Sequence, residues 1–191
     1  MKAIIGHHLI LTGYGHWLPN DVRGSGSTEV RSEELRDLGE IHLGRKAVQP
    51  PRNELREFHA EAAEKLYHPV LWFDEAKRQA IAEAFAQVIV KQKYTVWACA
   101  ILRNHAHLCV RRHRDDALTM WTHFATASRP AISENHPVWS ARPYKVFMYE
   151  PDDVRSRIQY VENNPIKEGL PAQTYPFVTP YNNWPFHKRK A

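Results

Sequence analysis

The sequence lacks long apolar runs and contains very few cysteines. No stretch of about eighteen apolar residues occurs, so no transmembrane helix is predicted. The apolar part of residues 1–8 is too short for a signal peptide, and we therefore expect a cytoplasmic protein with no membrane partner. The two cysteines, Cys99 and Cys109, lie in apolar, strand-like segments. This placement favours reduced core residues over a disulfide framework.

The length and charge of the chain set broad limits on its partners. A chain of 191 residues is long enough for one domain with a real core and marginal for two. The net charge is +5 with neutral histidines, and the isoelectric point is about 9.2. A net positive charge favours an anionic partner such as nucleic acid. Many enzymes are equally basic, so the charge alone is weak evidence for such a partner.

The order of the predicted elements indicates the fold class. Helices are predicted at 53–67, at 74–92 with Asp74 as N-cap, after Asp115 or Asp116, and from Pro151 to about Asn164, where Pro165 follows. Strands are predicted at 2–12, 94–102, 105–111 and 145–148. This interleaving predicts an α+β, ferredoxin-like sandwich, in which an antiparallel sheet carries helices on one face.

A polar stretch interrupts this pattern near the start of the chain. Residues 20–60 are rich in turn residues, with one short helix predicted around 33–38, and they are interpreted as a loop-rich insertion. The chain ends in the basic tail Lys188-Arg189-Lys190. The sequence therefore predicts a single domain over residues 1–191 with an insertion at about 20–60 and a basic C-terminal tail.

Two histidines alternate with apolar residues in the third predicted strand. Side chains at i and i+2 point to one face of a strand, so His105 and His107 would lie side by side and could chelate one divalent ion. With 12 histidines in the chain, about one such pair is expected by chance. A metal site and a chance pair therefore both stay open as interpretations. A structural zinc site that adds Cys99 and Cys109 is a further alternative, although no Cys-x-x-Cys spacing is present.

A tyrosine and an asparagine are one turn apart on the last predicted helix. Tyr160 and Asn164 are i and i+4 neighbours, and Arg157 lies on nearly the same side. By helical angle these residues border the predicted apolar stripe of Val154 and Val161, where a tyrosine ring can be held with its hydroxyl outside. The alternative is a packing tyrosine followed by an asparagine that ends the helix.

Together these segments resemble the single-tyrosine HUH transposases of the insertion-sequence-200-like class, especially the REP-associated tyrosine transposases. One signature of that family is Asn-His-(apolar)-His-Leu-x-Val, which is matched by residues 104–110. The second is an aromatic segment, an acidic helix start, and then Tyr-(Ile/Val)-x-x-Asn-Pro-(x3)-Gly-Leu. The corresponding residues here are Trp139, Tyr144, Asp152, Asp153 and 160–170. The family usually has Met-Pro before the first Asn, whereas this chain has Leu102-Arg103.

The resemblance implies a metal-dependent enzyme that cuts and rejoins DNA. It implies Tyr160 as the nucleophile, His105, His107 and Asn164 as ligands of Mg²⁺ or Mn²⁺, and a 5′-phosphotyrosine intermediate. The implied partner is single-stranded DNA, held by a hairpin or palindrome, and a homodimer is left open. The predicted DNA-binding residues are Arg103, Arg111, Arg112 and Arg129. Each of these arginines is equally well explained as a solvated surface cation.

Three other functions compete with a DNA transposase. The first is a catalytically silent or domesticated protein that only binds DNA hairpins. The second is a metal-dependent hydrolase unrelated to DNA, which the basic charge and the tyrosine motif disfavour. The third is plasmid replication initiation or relaxase activity, which uses the same chemistry, usually in larger chains.

Overall fold

Four strands form one antiparallel sheet in the computed structural model, which describes residues 2–133, 135–140 and 143–183. Strand β1 (Gly6–Thr12) lies in the middle, between β3 (His105–Arg111) and the edge strand β4 (Tyr144–Met148). Strand β2 (Val96–Ile101) forms the other edge next to β3. The order β2-β3-β1-β4 places the first strand beside the third, so residues distant in sequence become neighbours.

The register of the sheet determines which side chains share a face. In β1 and β3, His8 pairs with Cys109 and Leu9 pairs with Leu108. Because successive residues of a strand alternate between faces, Leu9 and Leu108 lie on one face and His8 and Cys109 on the other. Both faces are buried over most of these two strands, so each face needs a covering layer.

The helices are α1 (Arg52–Lys65), α2 (Glu75–Gln92), α3 (Ala117–Ile132) and α4 (Pro151–Lys167). Helices α2 and α3 begin at the aspartates expected from the sequence: the Asp74 carboxylate accepts a hydrogen bond from the Lys77 backbone N–H, and that of Asp116 from Thr119. The two helices pack on each other, and the rings of Phe85 and Phe124 meet edge to face at 5.0 Å between centroids.

Helix α4 packs against the histidine-bearing face of the sheet. Its buried Val154 and Val161 contact a cluster formed by Ala98, Ala100 and Cys109, which lie on that face. The predicted α+β fold with an antiparallel sheet is confirmed. The structure adds that the last helix covers the second face, where the sequence had suggested an open surface.

Two prolines interrupt helices without ending them. Helix α4 was expected to stop near Asn164, but it continues through Pro165 to Lys167. A proline in a helix removes one backbone donor, yet its fixed φ is helical, and the Glu168 N–H donates to the Asn164 carbonyl at 3.1 Å and closes the last turn. Pro130 is similarly contained within α3, whose end was expected to be limited by that proline.

The chain divides into two compact units, residues 1–12 with 72–191, and Gly13–Leu71. The second unit holds the short 3₁₀ helix Glu33–Leu38, as expected, and α1. Its core consists of Leu18, Leu35, Leu38, Phe58 and Ala62. The single domain with an insertion at 20–60 stays a prediction, and the tail Lys188-Arg189-Lys190 lies outside the described residues. Over the described ranges, no helix is long and apolar enough to cross a membrane.

Candidate active site

The two histidines of β3 lie next to each other on the face that α4 covers. The ring centroids of His105 and His107 are 4.6 Å apart. His107 is only 3% exposed, whereas His105, at the start of the strand, is half-buried. The Nδ1 atom of His105 is 2.6 Å from the side-chain oxygen of Asn104. The strand thus presents one imidazole in the interior and one at its border.

A third histidine, from the neighbouring strand, contacts this pair. The Nε2 atom of His8 is 2.9 Å from Nδ1 of His107, and both rings are buried. One ring must donate this hydrogen bond and the other must accept it. Within the described part of the chain, Nε2 of His107 and Nδ1 of His8 are buried with no hydrogen-bond partner. The Nε2 atom of His107 is therefore a buried polar atom with its bonding capacity unused.

The surroundings favour the neutral forms of His8 and His107. Burial lowers the pKa of His107 well below its ordinary value, and electrostatic interactions with His105, His8 and Arg157 lower it further. Burial likewise lowers the pKa of His8 to about 3, and Arg157 and His105 add to the effect. A neutral imidazole has a lone pair to offer, which is the form that binds a metal.

Tyr160 lies against the histidine cluster from the side of α4. Its ring centroid is 5.7 Å from that of His107 and 6.0 Å from that of His8, both in edge-on geometry. The residue is nevertheless 41% exposed. Two cations flank the ring: the Arg157 guanidinium carbon is 5.5 Å and the Lys167 ammonium 5.7 Å from its centroid. A tyrosine accessible to solvent is thus held between buried imidazoles and positive charges.

Asn164 follows one helical turn after Tyr160 and is buried. The side chain is 8% exposed, and its amide nitrogen has no hydrogen-bond partner among the described residues. Rotating an amide by half a turn exchanges its nitrogen and oxygen, so the same position can present an oxygen ligand. One imidazole on β3 and one amide on α4 are thus buried with unused bonding capacity, and both are groups of the kind that bind divalent ions. In the described part of the chain, no three His, Cys, Asp or Glu side chains form a metal-binding group, so an ion here depends on the amide.

The alternative zinc site with both cysteines does not form. Cys109 lies on the histidine face of β3, but Cys99 pairs with Leu108 and therefore points to the opposite face. Both thiols are free and buried, and burial raises their pKa values. They are core residues, as the sequence indicated.

The predicted DNA-binding arginines lie on several elements of the fold. Arg103 is exposed at the turn before His105, and its guanidinium donates to the Glu168 carbonyl at 2.6 Å. Arg111 is at the other end of β3, about 20 Å from His105 at 3.4 Å per residue. Arg112 follows it, and Arg129 lies in the last turn of α3. Arg103 precedes His105 by two residues, whereas Arg157 and Lys167 contact the Tyr160 ring directly.

His8 is the site residue that sequence reasoning left without a role. His7 and His8 are adjacent in β1 and therefore point to opposite faces of the sheet. The apolar residues of the strand could have told the two histidines apart. Leu9 and Leu11 lie on the face under α2 and α3, so His8 lies on the other face. In a ferredoxin-like order, β1 lies beside β3, which brings His8 next to the predicted pair.

The buried histidines predict a dependence of stability on pH. Burial lowers the pKa of His7 to about 4 and that of His8 to about 3 in the folded chain, whereas an unfolded histidine titrates near 6.5. The unfolded state binds these protons first, so stability is complete above pH 6.5 and falls as the pH drops from 6.5 toward 4. At pH 5.5 each histidine should lower the free energy of unfolding by roughly 1 kcal/mol relative to pH 7.5.

Urea unfolding at pH 7.5 and 5.5, with a chelator present, measures this effect. A His8→Gln variant removes one titrating group, and its loss of unfolding free energy between the two pH values should be smaller by roughly 1 kcal/mol. Equal losses for the variant and the wild type would show that His8 is not held neutral in the fold.

The comparisons with known proteins found a likeness in structure. No family model matches the sequence, and no curated protein matches it. The fold resembles the solved structure of a REP-associated tyrosine transposase bound to a REP hairpin, with a TM-score of 0.48 and 14% sequence identity. The match covers 90% of this chain and 73% of the other. At this level the likeness carries no conclusion about activity, so the function is argued below from the residues themselves.

Proposed function

We propose that the chain cuts and rejoins single-stranded DNA through a covalent bond between Tyr160 and a 5′ phosphate. The observation that carries the proposal is the position of Tyr160: its ring contacts two buried neutral imidazoles, while 41% of the residue stays accessible. A packing tyrosine would need neither the histidines nor the exposure. The flanking Arg157 and Lys167 supply positive charge where a phosphate would have to approach.

The reaction is a transfer between two esters of one phosphate. The Tyr160 hydroxyl gives up its proton as its oxygen attacks phosphorus. The bond from phosphorus to the 3′ oxygen breaks, and the 3′ oxygen takes up a proton, so no net proton is gained or lost. The products are a 5′-phosphotyrosine and a free 3′ hydroxyl. Because the new ester preserves the energy of the broken bond, the reverse attack by a 3′ hydroxyl rejoins DNA without ATP.

A divalent ion fits beside the nucleophile. His105, His107 and Asn164 would hold it, and when bound it would polarise the phosphate and stabilise the charge on the leaving oxygen. Imidazole and amide ligands are softer than the oxygen cage typical of magnesium, so Mn²⁺ should support the reaction at least as well as Mg²⁺. The protein itself supplies the neutral imidazoles, the accessible phenol and the flanking cations.

Covalent capture of DNA tests the proposal. The chain is incubated with end-labelled single-stranded hairpins, drawn from palindromes near its gene, in Mn²⁺, in Mg²⁺ or in chelator. A labelled band that survives denaturation and appears only with metal supports the proposal. Hairpin binding without such a band under either metal would replace it with the DNA-binding function.

Removing His8 should weaken metal binding. If His107 binds the ion through Nε2, its Nδ1–H donates to Nε2 of His8, and a partner of this kind fixes the ring and its tautomer. His8→Ala should therefore lower the affinity for Mn²⁺ about 10- to 100-fold in calorimetric titrations without DNA. His7→Ala is the matched control, because His7 is also buried but points to the opposite face. Equal Mn²⁺ affinity in both variants would contradict a role of His8 in the site.

A further inference from the structure

An exposed tyrosine of the edge strand shares a row with the active-site histidine. Tyr144 of β4 pairs with Ile10 of β1, and Ile10 pairs with His107 of β3. Residues paired across strands point to the same face, so the three side chains form one row on the histidine face. Two strand spacings separate the ends of the row, which places Tyr144 about 10 Å from His107.

The row runs from beneath α4 to the open part of the sheet. Helix α4 packs mainly on β2 and β3, and Val161 lies with Ala98, Ala100 and Cys109 in the core below it. Towards β4 the cover ends: Ile10 is half-buried and Tyr144 is 55% exposed. One end of the row is therefore a buried imidazole, and the other is an accessible aromatic ring beside an apolar side chain.

An aromatic ring at this position is suited to a flat, apolar ligand next to a phosphate. Aromatic side chains bind single-stranded nucleic acids by stacking on bases, and this contact tolerates any sequence. A phosphate at Tyr160 is attached to nucleotides on either side, and the base of one of them can reach a ring about 10 Å from His107. The cations Arg157 and Lys167 beside Tyr160 match the charge of the backbone in between.

We propose that Tyr144 and Ile10 bind the unpaired base adjacent to the phosphate that Tyr160 attacks. The assignment rests on the proposed function and adds to it a binding position for the substrate. Tyr144 is a binding residue in this scheme, because it touches the base and none of the reacting atoms. The proposal also requires single-stranded DNA at that point, because a base in a duplex is stacked on both faces and cannot contact the ring.

Affinity measurements in a chain that cannot cut DNA test the assignment. In the Tyr160→Phe background, fluorescence anisotropy gives the dissociation constant for a labelled single-stranded oligonucleotide. Adding Tyr144→Ala should weaken binding about 5- to 100-fold, whereas Tyr144→Phe, which keeps the ring, should bind as the parent does. Phe147→Ala is the matched control, because Phe147 is 38% exposed on the same strand but points to the opposite face.

A substrate lacking one base identifies the partner of the ring. Abasic sites are placed one at a time along the oligonucleotide. At the contacted position the parent should lose affinity, and Tyr144→Ala should show no further loss, because the two changes remove the same contact. Additive losses at every position would overturn the assignment. The thermal unfolding and the sedimentation of Tyr144→Ala should match those of the parent. A changed oligomeric state would show that a second copy of the chain binds this surface, and it would overturn the assignment.

The two proposals fail in different ways. If Tyr144→Ala binds like the parent while the wild type forms the covalent adduct, the base-binding position is wrong and the enzyme function stands. If binding depends on Tyr144 but no adduct forms with metal, the base-binding position stands and the cutting reaction is wrong. No binding of any single-stranded DNA by the parent would overturn both.

Discussion

A Tyr160→Phe variant is expected to bind single-stranded DNA as the wild type does and to form no covalent adduct with it. The change removes one oxygen and keeps the ring, so the edge contacts with His8 and His107 and the cations over the ring are preserved. Without the phenol oxygen no ester can form, and adduct formation should fall by more than about 10³-fold, to the background of the assay.

The control is a second accessible tyrosine. Tyr149 is 39% exposed, close to the value for Tyr160, and precedes the same helix. Tyr149→Phe should form the adduct at the wild-type rate. An adduct that persists in Tyr160→Phe would identify another nucleophile and end the proposed role of Tyr160, and its mapping by proteolysis would show which residue carries the DNA.

A Phe124→Ala variant is expected to lose about 3–5 kcal/mol of unfolding free energy. Phe124 is fully buried in α3, and its ring lies 5.0 Å from Phe85 of α2 and 5.7 Å from Tyr94. Truncation removes apolar contacts and leaves a cavity between two helices that cover one face of the sheet. A domain of ordinary stability has about 5–15 kcal/mol in total, so the expected loss is between about a fifth and the whole of it.

Leu118 supplies the comparison on the same helix. It is 47% exposed, and Leu118→Ala should change the free energy of unfolding by less than about 0.5 kcal/mol. Denaturant titrations of both variants give their losses of unfolding free energy. The difference between the two losses is the part that comes from truncating a buried residue, as opposed to any residue of α3. If Phe124→Ala lost less than about 1 kcal/mol, the packing of α3 on α2 would not be as described.

Much of the framework could be predicted from short-range patterns. The alternation in β3 placed His105 and His107 on one face, and the apolar spacing of α4 placed Val154 and Val161 in the core. The caps Asp74 and Asp116 marked two helix starts. These features depend on a few neighbouring residues, and local geometry determines them.

The remaining features depend on contacts between distant segments. The histidine face was expected to be accessible, and nothing in β3 indicates that α4 would cover it. The continuation of α4 past Pro165 depends on the hydrogen bond that closes the last turn, which a proline rule does not include. The role of His8 required the pairing of β1 with β3, and the strand carrying it gave only an ambiguous pair of adjacent histidines.

The hydrogen bond between His8 and His107 joins residues that are 99 positions apart in the chain. Bringing such distant segments together costs loop entropy, and sheets with many distant pairings form slowly. The cluster is therefore complete only when the first strand has joined the rest of the sheet. The affinity of the proposed metal site would then report the closing of that sheet. A truncated chain that starts after β1 would keep the two histidines of β3 without the His8 ring that contacts the buried one.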